Sequence, residues 1–135
     1  MTEIAVDPSA IVAIMLDEPE AAAFHEIMIS ASSVISAASW VELACVARHH
    51  FGPPGVDAAR ELLDSYGTTV APVDAEQADI AVEGLTRFGK GRGEPPAALN
   101  FGDLFSYALA RTRALPLLYK GNDFSRTDIA AATSG

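Results

Sequence analysis

The sequence predicts an α/β fold with a mostly parallel sheet between helical layers, and three observations predict it. Four short β-branched stretches are separated by longer helical patterns. Those stretches are continuously apolar rather than alternating, as in strands buried on both faces. At 135 residues, half of them hydrophobic, the chain suits one core and one domain spanning 1–135.

The strands are expected at "EIAV" (3–6), "SVIS" (33–36), "TTVAPV" (68–73) and "PLLYK" (116–120). "PSAIVAIML" opens a helix after the first, with Pro8 suited to the first helical position. A second helix, "EPEAAAFHEIMI", follows a break at Pro19. "SWVELACVARHHF" follows the second strand, and "PGVDAARELLDSY" starts beyond Gly52, Pro53 and Pro54. "DAEQADIAVEGLTRF" follows the third strand, with Asp74 as its N-cap. "NFGDLFSYALARTRA" sets Phe101, Leu104, Phe105, Ala108 and Leu109 on one face at helical spacing. "FGKGRGEPPAAL" (88–99) reads as a loop, and its glycines do not form a phosphate-binding P-loop motif.

The net charge of −9 argues against a nucleic-acid partner when taken alone. Its distribution is uneven. Residues 1–86 carry two basic residues against fourteen acids, and residues 87–135 carry seven against four. A single cysteine, Cys45, excludes an internal disulfide framework and reads as a small buried filler. The N-terminus carries no basic residue ahead of an apolar run, and no run reaches the ~18 residues of a spanning helix. The expected setting is cytoplasmic, with no membrane contact.

Four carboxylates break the apolar pattern. Asp7 sits in "IAVDPSAIVAI", directly after the first strand, where the carboxyl edge of a parallel sheet binds ligands. Glu42 lies three residues after Ser39, a spacing that fits a capping box at a helix mouth. Asp103 lies three after Asn100, in the first turn of its helix, off the apolar stripe. Asp123 follows the fourth strand in "KGNDF", a turn signal, and Asp128 is a weaker fifth candidate. Capping or turn formation would account for each acid singly; their common placement at one sheet edge is the informative feature.

Convergence of four carboxylates costs energy. Two unit charges ~5 Å apart repel by roughly 3 kcal/mol at an effective dielectric of ~20. Partial protonation or a divalent cation relieves this, and carboxylate oxygens suit Mg²⁺ or Mn²⁺. Three scattered histidines, His25, His49 and His50, and one cysteine do not suggest zinc. A metal held by carboxylates activates water and stabilises a phosphoryl group in transfer. Nearby Lys90, Arg92, Lys120 and Arg126 are candidate phosphate contacts.

The segments "VDPSAIVAI", "SAASWVELA", "ALNFGDLFSYALA" and "LLYKGNDFSRTDI" resemble, in order and spacing, PIN-domain ribonucleases, and most of all the VapC toxins of bacterial toxin–antitoxin pairs. The resemblance covers essentially the whole chain. It implies a three-layer α/β/α PIN fold and an Mg²⁺- or Mn²⁺-dependent endoribonuclease. On it, Asp7, Glu42, Asp103 and Asp123 fall on the family's acidic quartet, with Asp7 and Asp103 as primary metal ligands. Ser9 and Asp128 fall on supporting positions. Pro8 stands where the family commonly has Thr or Ser, which puts in doubt a hydrogen bond from that residue. The resemblance further implies a VapB-type antitoxin that covers the acidic site, often with an Arg, and a homodimer. The alternative is a catalytically weak PIN scaffold that works by binding its antitoxin, and operator DNA through it. A haloacid-dehalogenase-like phosphatase would need a second acid at position 9, where Ser9 stands.

Overall fold

The structure, a computed structural model, describes residues 2–89 and 98–132. In chain order the elements are β1 (Glu3–Val6), α1 (Pro8–Met15), α2 (Ala21–Ser30), β2 (Ser32–Ser36), α3 (Ala37–Phe51), α4 (Pro54–Ser65), β3 (Thr69–Ala71), α5 (Ala75–Phe88), α6 (Phe101–Arg113) and β4 (Leu117–Leu118). The four strands form one sheet in the order β3-β2-β1-β4, and every pairing is parallel.

Alternation along the strands builds the layers. Ile4, Val6, Ile35 and Leu118 face one core, which α1, α2, α3 and α4 complete with Ile11, Met28, Leu43 and Leu63. Ala5, Val34, Ala71 and Leu117 face the other, where α5 and α6 supply Ala81, Leu104, Tyr107 and Leu109. Both faces of the sheet are therefore covered, which is why its strands read as unbroken apolar runs. Gly84 lets α5 approach α6 closely: a Cβ there would stand 2.7 Å from the Tyr107 ring.

The strand order reverses direction beside β1, since β2 lies on one side of it and β4 on the other. Such a switch point opens a crevice at the carboxyl ends of the two strands. Asp7 sits at the end of β1 within that crevice.

Several local expectations shift. β3 and β4 are shorter than 68–73 and 116–120. Beyond Leu118 the chain leaves the sheet, and the Lys120 N–H is taken by Ser9 Oγ at 3.0 Å rather than by a strand neighbour. The cap of α3 is Ser36, not Ser39: Ser36 Oγ accepts the Ala38 N–H. Ala37 and Ala38 favour helix, so the helix begins as soon as β2 ends. Ser39 becomes a buried helical residue whose hydroxyl lies 3.3 Å from that of Ser106. Glu42 therefore belongs to the second turn of α3 and is no part of a capping box. Cys45 is exposed, because the buried stripe of α3 runs through Ser39, Leu43 and Ala47 and Cys45 falls on another side. Ile11 and Met28 are wholly buried.

Candidate active site

Each acid reaches the crevice by a different local device. Asp7 has extended backbone and caps α1: its Oδ2 accepts the Ser9 N–H at 3.0 Å. Pro8 occupies the first helical position, where its missing N–H would have had no partner inside the helix. The proline therefore takes nothing from Asp7, whose backbone partner is one residue further on. The other oxygen, Oδ1, accepts the Ser106 hydroxyl at 2.5 Å from α6. Asp103 is seated by a capping box, as the spacing predicts. Asn100 Oδ1 accepts the Asp103 N–H at 2.9 Å, and Asp103 Oδ2 accepts the Asn100 N–H at 3.0 Å.

Glu42 projects from α3 against the first turn of α6. A Cβ on Gly102 would lie 2.5 Å from Glu42 Oε1 and 2.6 Å from Oε2. The bare backbone at Gly102 thus makes room for this carboxylate. Asp123 is exposed, in the run of turns beyond β4.

The four carboxylates lie close enough to feel one another's charge. Burial pushes the Asp103 carboxyl up to about 7, helped by Asp7, Asp123 and Glu42 and opposed by the Asn100 N–H. Burial also raises Asp7, which is 5% exposed; the bonds from Ser106 and Ser9 pull it back and the charge of Asp123 adds to the rise. Glu42, half-buried, is raised by burial and by Asp7. Asp7, Glu42 and Asp103 line one open cleft of ≈ 420 Å³ together with Ser9, Glu18 and Lys120.

The donor set is oxygen only, which suits a hard divalent cation. Among the described residues, no three acidic, His or Cys side chains close on one point at metal-binding range. The hydrogen bonds show where the oxygens are directed: Asp7 toward Ser106 and Ser9, Asp103 back toward Asn100. Like charge favours that separation.

Other predicted residues are placed differently. Ser9 works through its backbone on Asp7 and through its hydroxyl on Lys120. Lys120 reaches the cleft, but its Nζ is paired with Glu18 and lies 3.6 Å from Glu20. Asp128 does not join the acidic group. Its Oδ2 lies 3.3 Å from Arg87 Nη1 and 3.7 Å from Arg111 Nε, on the α5–α6 side. Arg126 is exposed in the turns beyond Asp123. Lys90 and Arg92 lie outside the described residues. His25 meets the Tyr66 hydroxyl at 2.6 Å, and His49 and His50 sit in the last turn of α3.

Three site residues escape a reading of the sequence. Ser106 left one signal, a hydroxyl three residues after Asp103 and on the same side of its helix. Gly102 left another, a glycine inside the first turn of an amphipathic helix. Glu18 left none, since it reads as a surface acid beside Pro19.

Comparison with known proteins agrees with this architecture. The PIN domain model matches residues 4–130. Ribonuclease VapC42 of Mycobacterium tuberculosis is 43% identical over 128 residues, covering 94% of this chain and 97% of that protein. A ribonuclease VapC of Mycolicibacterium smegmatis is 44% identical, covering 93% and 97%. Among solved structures, the sarcin-ricin loop cleaving toxin VapC20 of M. tuberculosis superposes with a TM-score of 0.76 at 19% identity, covering 96% of this chain and 98% of that one. VapBC2 of Rickettsia felis, solved with a promoter DNA fragment, gives 0.73 at 11% identity, covering 97% and 98%. The quartet, the switch-point crevice and these likenesses lead to one assignment: the chain belongs to the PIN-domain family, among the VapC ribonucleases.

Proposed function

We propose that this chain is a metal-dependent endoribonuclease, the toxin of a toxin–antitoxin pair, hydrolysing RNA phosphodiester bonds. The observation that carries the reading is the meeting of Asp7, Glu42 and Asp103 in one cleft at the switch point of the sheet, with Asp123 in the turns just beyond β4. Relatives 43–44% identical over nearly the full chain carry the name ribonuclease, which supports the same chemistry here.

Asp7 and Asp103 would hold Mg²⁺ or Mn²⁺, with Glu42 and Asp123 completing the charge. The bound cation supplies an activated water and neutralises charge on the phosphoryl group. Ser106 and the Ser9 N–H fix the Asp7 carboxylate, so little reorganisation remains when the ion arrives. The capping box does the same for Asp103. Glu42, kept against Gly102 and beside Asp7, orients the attacking water. Lys120, which lines the cleft beside its partner Glu18, would contact a phosphate flanking the cut, and Arg126 lies further along the same segment.

A VapB-type antitoxin is the expected partner. Solved relatives of this fold include VapBC complexes from Salmonella typhimurium and nontypeable Haemophilus influenzae, at 20% and 16% identity with TM-scores of 0.69 and 0.67. The apolar groove between α1 and α4, lined by Ile14, Met15, Phe51, Ala58 and Leu62, suits an amphipathic segment of such a partner. Its basic residues would be drawn to the acidic cleft. Exposed Val41, at 60%, and Phe101, at 78%, offer an apolar face for a homodimer. An RNA substrate fits action in the cytoplasm. Among the described residues, no helix is long and apolar enough to cross a membrane.

The test is cleavage of total cellular RNA by the antitoxin-free chain with Mg²⁺, Mn²⁺ or EDTA, beside Asp7→Asn. Discrete metal-dependent fragments that vanish in the variant are expected. Folded wild-type protein that cuts nothing would sink the reading and leave the scaffold role.

A further inference from the structure

Asp123 is the one acid of the quartet that no helix or strand seats. β4 ends at Leu118, and residues 121–128 run as linked turns. The Ser125 N–H bonds Asn122 O at 3.1 Å, the Thr127 N–H bonds Phe124 O at 3.1 Å, and the Ile129 N–H bonds Thr127 Oγ1 at 3.3 Å. These bonds couple Asp123 mechanically to the residues after it. Phe124 is buried and packs on Tyr119, with ring centroids 5.1 Å apart. Further on, Leu117 pairs with the chain at Ala131.

Between those two anchors stands Asp128. One of its oxygens draws in arginines from two helices, Arg87 of α5 and Arg111 of α6. Arg111 is itself aimed: its Nη1 donates to Glu83 Oε1 at 2.9 Å and to the Tyr107 hydroxyl at 3.0 Å. The Tyr107 ring lies in the core against Gly84. A chain of contacts therefore runs from the α5–α6 interface to the segment that carries Asp123.

We propose that Arg87 and Arg111, acting through Asp128, are positioning residues that hold Asp123 in register with Asp7 and Asp103. The clamp matters to chemistry only if the quartet is the active site, so in that respect it rests on the nuclease reading. Pairs this exposed, at 31–45% for the side chains, add little to stability. Catalysis is far more sensitive, because a displacement of about 1 Å at a reacting group costs on the order of 100-fold.

The experiment compares the full-length chain with Asp128→Asn, Arg111→Met, the double variant and Asp128→Glu. Backbone amide order parameters over Gly121–Thr127, taken without metal or substrate, report the segment directly. They are expected to fall from about 0.85 toward about 0.6 in Asp128→Asn and Arg111→Met. In the same variants kcat falls about tenfold, KM for RNA stays within about twofold, and more Mn²⁺ is needed for half of the thermal shift it produces. The double variant is no worse than either single one, since all act through one contact. Asp128→Glu restores most of the loss. Unchanged order parameters overturn the clamp, as does a lowered melting temperature with kcat and Mn²⁺ response intact. If the wild-type chain cuts no RNA, the nuclease reading fails by itself, and the order parameters still decide the clamp.

Discussion

Asp7 and Asp103 differ from Glu42 and Asp123 in how the fold holds them. The first pair is buried, 5% and 8% exposed, and each carboxylate is bonded at a helix N-terminus. The second pair is more open: Glu42 rests against a glycine and Asp123 sits in turns. Burial makes the first pair precise and electrostatically costly; openness makes the second pair easy to keep and easy to displace. The proposed metal site would use both properties, a rigid part to set the position of the ion and an accessible part to meet water and substrate.

The largest effects should come from the buried pair. Asp103→Asn is expected to lower RNA cleavage by on the order of 10²–10³-fold, the scale of losing a group that stabilises transition-state charge. The same change should raise the stability of the metal-free protein by about 1–3 kcal/mol, since it removes a buried charge yet keeps an oxygen for the Asn100 N–H. Chemical denaturation in EDTA measures this. A destabilised variant would show that the capping box outweighs the repulsion.

Next comes the wall between the pairs. Gly102→Ala puts a Cβ 2.5 Å from Glu42 Oε1. Because the obstacle is the end of a flexible side chain, the fold should survive while Glu42 swings away. Cleavage is expected to drop roughly tenfold with the melting temperature within a few degrees. Equal activity would mean that Glu42 needs no fixed place.

The pH response sharpens the same contrast. The Asp103 carboxyl sits near 7 in the folded chain against 3.8 for an ordinary aspartate. The folded state therefore holds the proton more tightly than the unfolded one. This contribution to stability is fully present below about pH 4 and is lost as pH rises through about 7. Metal-free melting temperature should climb as pH falls from about 8 to about 5, and the climb should shrink in Asp103→Asn to the part owed to the raised Asp7 and Glu42 carboxyls. A flat wild-type profile would place Asp103 in a wetter setting than this cleft.

The smallest effect is expected from Ser106→Ala, which removes one donor to Asp7. A loss of about 1 kcal/mol in stability and a few-fold loss in cleavage are expected from a single bond to a charged group. Kinetics with Ser106→Thr, which keeps the hydroxyl, would show whether the bond or the space is what counts.

Much of this molecule is set locally and is readable from the chain alone. The parallel α/β order comes from continuous apolar strands between amphipathic helices. The caps at Asp7, Asp74 and Asn100 come from side chains that bond their own helix starts within three residues. Even the acids at the sheet edge can be placed from where they stand relative to strand ends. Sequence could not decide anything that depended on a distant partner. Ser39 reads as the cap of α3 until the packed structure starts the helix at the end of β2 and gives the cap to Ser36. Asp128 reads as a site acid until Arg87 and Arg111 draw it to the other face of α6. Cys45 turns outward once α3 is packed, and Glu18 turns toward the cleft and Lys120. Ser106 reaches Asp7 across 99 residues of chain. Local bonding is a matter of spacing along one segment, and the sequence carries spacing. Which surfaces meet is decided by the packing of all the elements together, so the bonds that finish the site, and the clamp behind Asp123, exist only in the folded chain.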